Sequence, residues 1–475
     1  MRPAPAMRQA PAMSPAPAMR QALERDSSIP PGTFTDLYEL TMGQTYVASG
    51  MEGIAVFELF YRELPPCRRY VVSSGLGNVL DFLESFRFDA TDLAFLRGEG
   101  KLSESFLGRL AGTRFTGDVN AVSEGTPVFP GEPVLQVIAP ILEGQLVETY
   151  VLNQVHFQSV IASKAARVME AAAGRTVVDF GSRRSHGVDA ALHAARVAYV
   201  AGAAGTSNVL AGKRFGIPLF GTMAHSFVQA HDRELTAFES FERQFPEATL
   251  LVDTYDTLDG VRNVIRLAEA LGSDCRIRGI RLDSGDLGEL AVQSRRMFDE
   301  AGLGDIRIFA SGGLDEHRIA DLIERQAPID GFGVGTKLCV ASDAPDLDFA
   351  YKLVEYEGRG RTKRSPSKEI LPGRKQVFRR LADGIYRGDT LALASEEPPG
   401  GEPLLRPVMR DGAVLPGVRE SIAESRERAI RERSRLPDVI RRLGVVSEDD
   451  RTCLYPVDRS EGLLAEAARV RQRLG

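Results

Sequence analysis

Cysteine is scarce in this chain: four in 475 residues, at 67, 275, 339 and 453, with no CxxC pair and no histidine clustered beside them. That spacing excludes a disulfide scaffold and a local Cys/His metal site, and leaves reduced, mostly structural thiols. An excess of positive charge is also missing. Lys and Arg number 59 against 65 Asp and Glu, a formal net charge of −6, which argues against a general nucleic-acid partner. No apolar run approaches the ~20 residues needed to cross a bilayer, and no charged-then-apolar leader opens the sequence. The expected address is therefore cytoplasmic, with no membrane partner. Histidine is rare too, six in all, so two of them close together, His225 and His231 in "FGTMAHSFVQAHD", call for a reason.

What is present is ordinary for a globular protein, 43% hydrophobic and 26% charged. The length suggests about two to three domains. The first 22 residues repeat APAMRQA and are rich in Ala and Pro, a composition that buries little, so residues 1–30 are expected to be disordered. Residues 31–145 open on a helical pattern, "FTDLYELTMGQTYVASG". Short β-rich runs punctuated by Gly and Pro follow, as in an α+β domain. The helical stretch "EGQLVETYVLNQVHFQSVIASKAARVMEAA" changes the rhythm and marks a boundary near residue 145.

Residues 146–350 are expected to hold the catalytic unit. From about 175 to 340 apolar strands alternate with amphipathic helices: "TVVDF", "IPLFG", "TLLVD", "IRGIRL", "IRIFA" and "IDGFGV". Each run ends in a segment rich in Gly, Ser, Thr, Asp, Arg or His. A (β/α) barrel gathers all such ends at one mouth, where barrels hold their active sites. An open doubly wound sheet would also align them on one edge. The even spread of polar ends over six strands favours an α/β fold with an irregular or incomplete TIM-like barrel and an N-terminal α+β domain. Residues 351–475 are read as a basic hairpin and a helical segment packing on the rest.

The last two strand ends, "ASGGL" and "GVGTKL", carry Gly312, Gly313, Gly333, Gly335 and Thr336. Glycines admit close approach of backbone N–H groups to an anion, and in barrels the final loops often hold phosphate. "RLDSGDLGEL" sets Arg281, Asp283 and Asp286 at one end, where carboxylates suit Mg²⁺ or a sugar diol and the guanidinium suits an anion. The competing reading is a salt-bridged turn in which Ser284 or Asp286 caps the next helix. "DFGSRRSHG" offers Phe180 beside Arg183 and Arg184, an aromatic face and charge for a flat anionic ring. Asp253 and Asp256 are less telling, since a helix cap accounts for one of them. His225 faces this company, and its nitrogen can serve as nucleophile toward phosphorus or as general acid or base. His231, His156, His193 and His317 are read as structural. Residues 359–380 carry nine Lys/Arg against the single Glu369, either a solvated hairpin or an electrostatic collar for a phosphate-rich ligand.

In order along the chain, "TDLYELTM", "FGSRRSHG", "GTMAHS", "RLDSGD", "FASGGLDE", "GVGTKL" and "KRSPSKEILPGRKQVFR" resemble the motifs of nicotinate phosphoribosyltransferases, over residues 33 to about 380. The resemblance implies homodimers that complete their sites near the subunit interface. It implies formation of nicotinate mononucleotide and pyrophosphate from nicotinate and phosphoribosyl pyrophosphate, coupled to ATP hydrolysis and supported by Mg²⁺. By the same resemblance Tyr38 sits against the pyridine ring from the neighbouring subunit, with Phe180 on the other face. Thr222 and Arg281 belong to the nicotinate site, with Arg183 close by. Asp283 meets the ribose or the metal, Gly313, Gly335 and Thr336 hold the sugar 5-phosphate, and Gly312 belongs to the substrate site. His225 is the residue phosphorylated by ATP.

Two rivals frame this expectation. Nicotinamide phosphoribosyltransferases, which are relatives, use an Asp to hold the amide. Here the comparable segment "GTSNVLAG" offers Ser207, which can donate a hydrogen bond to a carboxylate instead of repelling it. A barrel that only senses phosphometabolites would have no need of a phosphorylatable histidine.

Overall fold

A computed structural model describes residues 32–363, 370–397, 400–444 and 455–474. The Ala/Pro-rich start, residues 364–369 of the basic run and Cys453 lie outside these. The three remaining cysteines are free.

Six short strands, Thr176–Asp179, Gly205–Thr206, Thr249–Leu251, Gly279–Leu282, Arg307–Ala310 and Gly331–Val334, form one sheet. All its pairings are parallel. Across the sheet the order is second, first, sixth, fifth, fourth, third. The first strand therefore pairs with the last, from Gly331↔Thr176 to Val334↔Asp179. That cyclic order is a ring cut once, between the second and third strands, and it separates an incomplete barrel from an open doubly wound sheet.

Five apolar runs form strands as expected, and "IPLFG" does not. The second strand is the dipeptide Gly205–Thr206, and the run beside it makes only an isolated parallel bridge, Thr206↔Leu219. Thr206 N donates to Pro218 O at 3.0 Å and Phe220 N to Thr206 O at 3.0 Å. This segment borders the cut in the ring, so it has a partner on one side only. Leu219 and Phe220 are left exposed.

Amphipathic helices cover the barrel. Thr257–Leu271 buries Gly260, Val261, Val264, Leu267 and Ala268, one stripe at helical spacing. The 24-residue helix Glu148–Ala171 is apolar on most sides and buried along most of its length. It packs against helices Val188–Ala201, Leu76–Ser85 and Glu316–Glu324. A helix without Gly or Pro, with apolar residues around its circumference, belongs between layers and not on a surface.

The early part of the chain builds an antiparallel seven-stranded sheet centred on Ile54–Tyr61 and Leu135–Pro140. Strands from much later in the chain, Phe349–Tyr356 and Arg406–Arg410, complete it. Glu58 at its centre lies opposite Gln136 and Lys352. A four-stranded sheet holds Lys375–Ala382 and Ile385–Leu393. Among the described residues no helix is long and apolar enough to cross a membrane.

Candidate active site

Because the barrel strands are parallel, their carboxyl ends share one face. Asp179 ends the first strand, fully buried, and its carboxylate accepts from Gly181 N at 2.8 Å and Thr206 Oγ1 at 2.7 Å. It ties the first two strand ends together, and burial raises its pKa. Phe180 follows, its N donating to Val334 O at 2.8 Å. Its ring lies over Gly333, where a Cβ would come within 2.5 Å of it, and near Phe309 at 6.1 Å between centroids. Glycine at 333 thus makes room for the aromatic face.

The fourth strand delivers Arg281. Its Nη2 donates to Met223 O at 3.2 Å, which sets the guanidinium beside Thr222. Its Nε is buried with no protein partner. Burial lowers the Arg281 pKa, the carboxylates of Asp283 and Asp253 oppose that, and the nearby Arg183 adds to it. An unsatisfied buried N–H on Arg281, with the positive charge of Arg183 in electrostatic reach, suits an anion.

Asp283 comes next and is held on both sides. Its N donates to Asp253 Oδ2 at 2.9 Å, and its Oδ1 accepts from Ser311 Oγ at 2.5 Å. Ser284 Oγ reaches the same Asp253 oxygen at 2.6 Å. The other carboxylate oxygen of Asp283 faces His225 Nε2 at 3.8 Å. His225 opens the short helix His225–Gln229, and its Nδ1 pairs with Thr254 Oγ1 at 3.2 Å. His225, Arg281, Asp283 and Thr222 therefore gather at one mouth, with Arg183 exposed in electrostatic reach of Arg281.

The glycine loops lie next to them. Gly312 and Gly313 adopt φ of +88° and +61°, and a Cβ on Gly312 would stand 1.8 Å from Asp283 O. A side chain there is incompatible with the Asp283 strand end. Gly335, whose added Cβ would meet Phe180 O at 3.2 Å, precedes the turn Thr336–Cys339. Asp286, in contrast, is a cap: its carboxylate accepts from Gly288 N at 3.0 Å and Glu289 N at 3.1 Å. Asp256 likewise caps Asp259 N at 2.9 Å.

Other candidates stand apart. Arg184 lies exposed on the turn Ser182–Arg184, and Ser207 is exposed with its N donating to Asp179 O at 2.9 Å. Tyr38 projects half-exposed from helix Leu37–Ala48, where burial and the Glu148 carboxylate, to which it hydrogen-bonds, raise its hydroxyl pKa. His231 pairs with Phe227 O at 2.9 Å, and His156 accepts from Leu347 N at 3.0 Å. His193 lies 3.2 Å from Asp189.

The basic run reads differently in space. Lys375 is buried against Glu58 at 2.7 Å and Arg379 against Asp389 at 2.6 Å, so these two brace sheets and offer no charge to a ligand. Sequence reasoning rated Asp253 as less telling and passed over Thr254 and Ser311. Asp253 alone carried a signal, its place at the end of an apolar strand.

Fold and site together define a (β/α)-barrel protein whose mouth combines a buried arginine with an unsatisfied N–H, a histidine–carboxylate couple and close glycine loops, the end at which such barrels work. Similarity narrows the class. Residues 33–156 match the family model of the nicotinate phosphoribosyltransferase N-terminal domain, and residues 176–363 match that of the nicotinate phosphoribosyltransferase family. A nicotinate phosphoribosyltransferase of Mycobacterium tuberculosis is 57% identical over 438 residues, 92% of this chain and 93% of that protein. One from Bacillus subtilis is 44% identical over 373 residues, 76% of each. The crystal structure of human nicotinic acid phosphoribosyltransferase superposes with a TM-score of 0.81 at 30% identity, covering 92% of this chain and 99% of that one. The chain belongs to the nicotinate phosphoribosyltransferase family.

Proposed function

We propose that this chain joins nicotinate to the ribose 5-phosphate unit of phosphoribosyl pyrophosphate, giving nicotinate mononucleotide and pyrophosphate in NAD biosynthesis, with ATP hydrolysis coupled to the transfer. The observation that carries this reading is the buried Arg281 guanidinium, its Nε lacking a partner, beside the His225–Asp283 couple, with the charge of Arg183 in reach. A carboxylate on a flat ring satisfies that N–H, and an amide does not supply the charge. Membership of the family supports the same substrates.

In the reaction the pyridine nitrogen forms a bond to the anomeric carbon as the bond to pyrophosphate breaks. The developing positive charge on the sugar needs a neighbouring carboxylate, and Asp283 is the one held by Ser311 and Asp253. Phe180, and Tyr38 from the second copy of a homodimer, would sandwich the ring, with Ser207 and Thr222 at its edge. Gly312, Gly313, Gly335 and Thr336 would take the 5-phosphate.

His225 is the proposed phosphate acceptor. When Nδ1–H donates to Thr254 Oγ1, Nε2 keeps the lone pair that attacks the terminal phosphorus of ATP, and ADP leaves. Water later hydrolyses the phosphohistidine.

Asp283 and Asp253 are the residues that would hold a largely hydrated Mg²⁺, and their oxygen donors fit that ion. Asp283 has an open oxygen, Asp253 Oδ1 is buried without a partner, and no group of three or more metal-ligating side chains is formed among the described residues. When bound, the ion would neutralise charge on the departing pyrophosphate. With this reading go a cytoplasmic location and a division of the chain at 31–145, 146–350 and 351–475.

The test is a product assay with phosphoribosyl pyrophosphate and Mg²⁺, offering nicotinate or nicotinamide, each with and without ATP. Nicotinate mononucleotide formed faster with ATP is the expected result. Reaction with nicotinamide alone would overturn the Arg281 and Ser207 assignments, and binding without turnover would point to a sensor.

A further inference from the structure

Behind the two glycine loops lies a buried ion cluster that the reaction itself does not use. Glu316, the first residue of helix Glu316–Glu324, follows directly on the Ser311–Asp315 loop and turns inward with no exposed surface. Its carboxylate pairs with Lys164 Nζ and accepts from Arg167 Nε at 3.0 Å. Asp343 follows the Gly335–Thr336 loop by seven residues, and its Oδ1 lies 2.8 Å from the same Lys164 Nζ. Arg68 holds Asp343 from the other side, with Nη2 at 3.2 Å from Oδ1. Nearer the mouth Lys337 on the second loop approaches Asp315 on the first at 3.6 Å.

Lys164 is 1% exposed, on the long helix Glu148–Ala171, and it is shared by one carboxylate from each loop. A buried ammonium between two carboxylates is expensive to desolvate and contributes little net stability over an apolar replacement. What it supplies is geometry, because the ammonium is the group that both carboxylates share and so fixes their separation. Burial alone would raise the Glu316 carboxyl, and Lys164 overrides it to hold that group ionised.

We propose that Lys164, with Glu316 and Asp343, is a positioning device that sets the spacing of the two glycine loops, so that Gly312–Gly313 and Gly335–Thr336 close on a single sugar phosphate. The inference rests on the phosphate role proposed above for those loops. Lys164 touches no substrate and acts through the loops.

The test uses the paired substitution Lys164→Met with Glu316→Gln. It removes one charge of each sign, leaves the cluster's net charge unchanged, and keeps an oxygen for Arg167. Ribose 5-phosphate binding is measured by calorimetry, and the apparent KM values for phosphoribosyl pyrophosphate and nicotinate are measured separately. The expected result is affinity for ribose 5-phosphate lowered about 10- to 100-fold and the phosphoribosyl pyrophosphate KM raised to match, with kcat and the nicotinate KM near wild type. A folded variant that binds ribose 5-phosphate as the wild type does overturns the proposal, even if its melting temperature has dropped. Should that pair fail to fold, Arg68→Met with Asp343→Asn frees the second loop alone, and wild-type ribose 5-phosphate affinity there overturns it equally. Wild-type protein that binds ribose 5-phosphate but makes no mononucleotide would overturn the proposed activity instead, with the calorimetry still deciding the loop coupling.

Discussion

His225 has one ring nitrogen engaged by Thr254 and the other directed at Asp283, an arrangement that leaves a nucleophile poised but not buried. Replacing it with Ala removes the proposed phosphate acceptor without touching Arg281 or the glycine loops. The expected outcome for His225→Ala is a drop of about 10²-fold or more in ATP-stimulated transfer, with a residual ATP-independent rate. The ratio of rates with and without ATP measures this, and an unchanged ratio would remove His225 from the coupling. At this scale the sequence was a good guide to residues that end strands. Arg281, Asp283 and His225 could be picked out because polar groups after apolar runs have few other reasons to be there. Asp253 was harder, since an Asp before a helix is usually a cap, and in "VDTYDT" that role falls to Asp256. Ser311 and Thr254 gave no signal at all: hydroxyls that orient a neighbour look like any loop Ser or Thr.

Elements carry the next level of precision. The loop at Gly312 lies against the backbone of Asp283, and its φ of +88° belongs to glycine. Gly312→Ala brings a methyl group onto the Asp283 carbonyl, so the loop and the strand end must separate. We expect the phosphoribosyl pyrophosphate KM to rise about 10- to 100-fold, with cooperative unfolding retained. Steady-state kinetics with thermal melts checks this; an unaltered KM would show that the loop does not contact the phosphate. Strand legibility followed strand length. Runs such as "IRGIRL" and "IRIFA" form strands because both neighbours pair with them. The dipeptide Gly205–Thr206 is too brief for any periodicity, and the apolar "IPLFG" beside it misleads because it flanks the cut in the ring. The partners of Ile54–Tyr61 were equally hidden, since Phe349–Tyr356 arrives nearly three hundred residues later and no local pattern announces which edge it will join.

At the scale of the whole molecule, the first helix and the long central helix meet through buried polar groups, and this junction makes stability depend on pH. Glu39 has no exposed surface; its carboxylate accepts from Thr149 Oγ1 at 2.8 Å and from Thr35 Oγ1. Burial raises its pKa from 4.5 to about 7, the two hydroxyls opposing and Glu148 and Asp36 adding to the rise. A carboxyl with a raised folded-state pKa keeps its proton in the fold after the unfolded chain has released it. Between about pH 4.5 and 7 the unfolded state therefore binds fewer protons, and this group's share of stability falls as pH rises through that window. Above it the fold carries a buried charge beside Glu148. Glu39→Gln removes the titration while keeping an acceptor for one threonine. The variant should melt about 2–4 °C above wild type at pH 8 and show no such gain at pH 5. Melting curves at the two pH values decide it: an equal shift at both would mean that packing around residue 39, and not its ionisation, sets the difference. Because Tyr38 stands on the same turn and hydrogen-bonds to Glu148, a pH-dependent loosening of this junction would also move the aromatic face proposed to reach the neighbouring subunit's pyridine site.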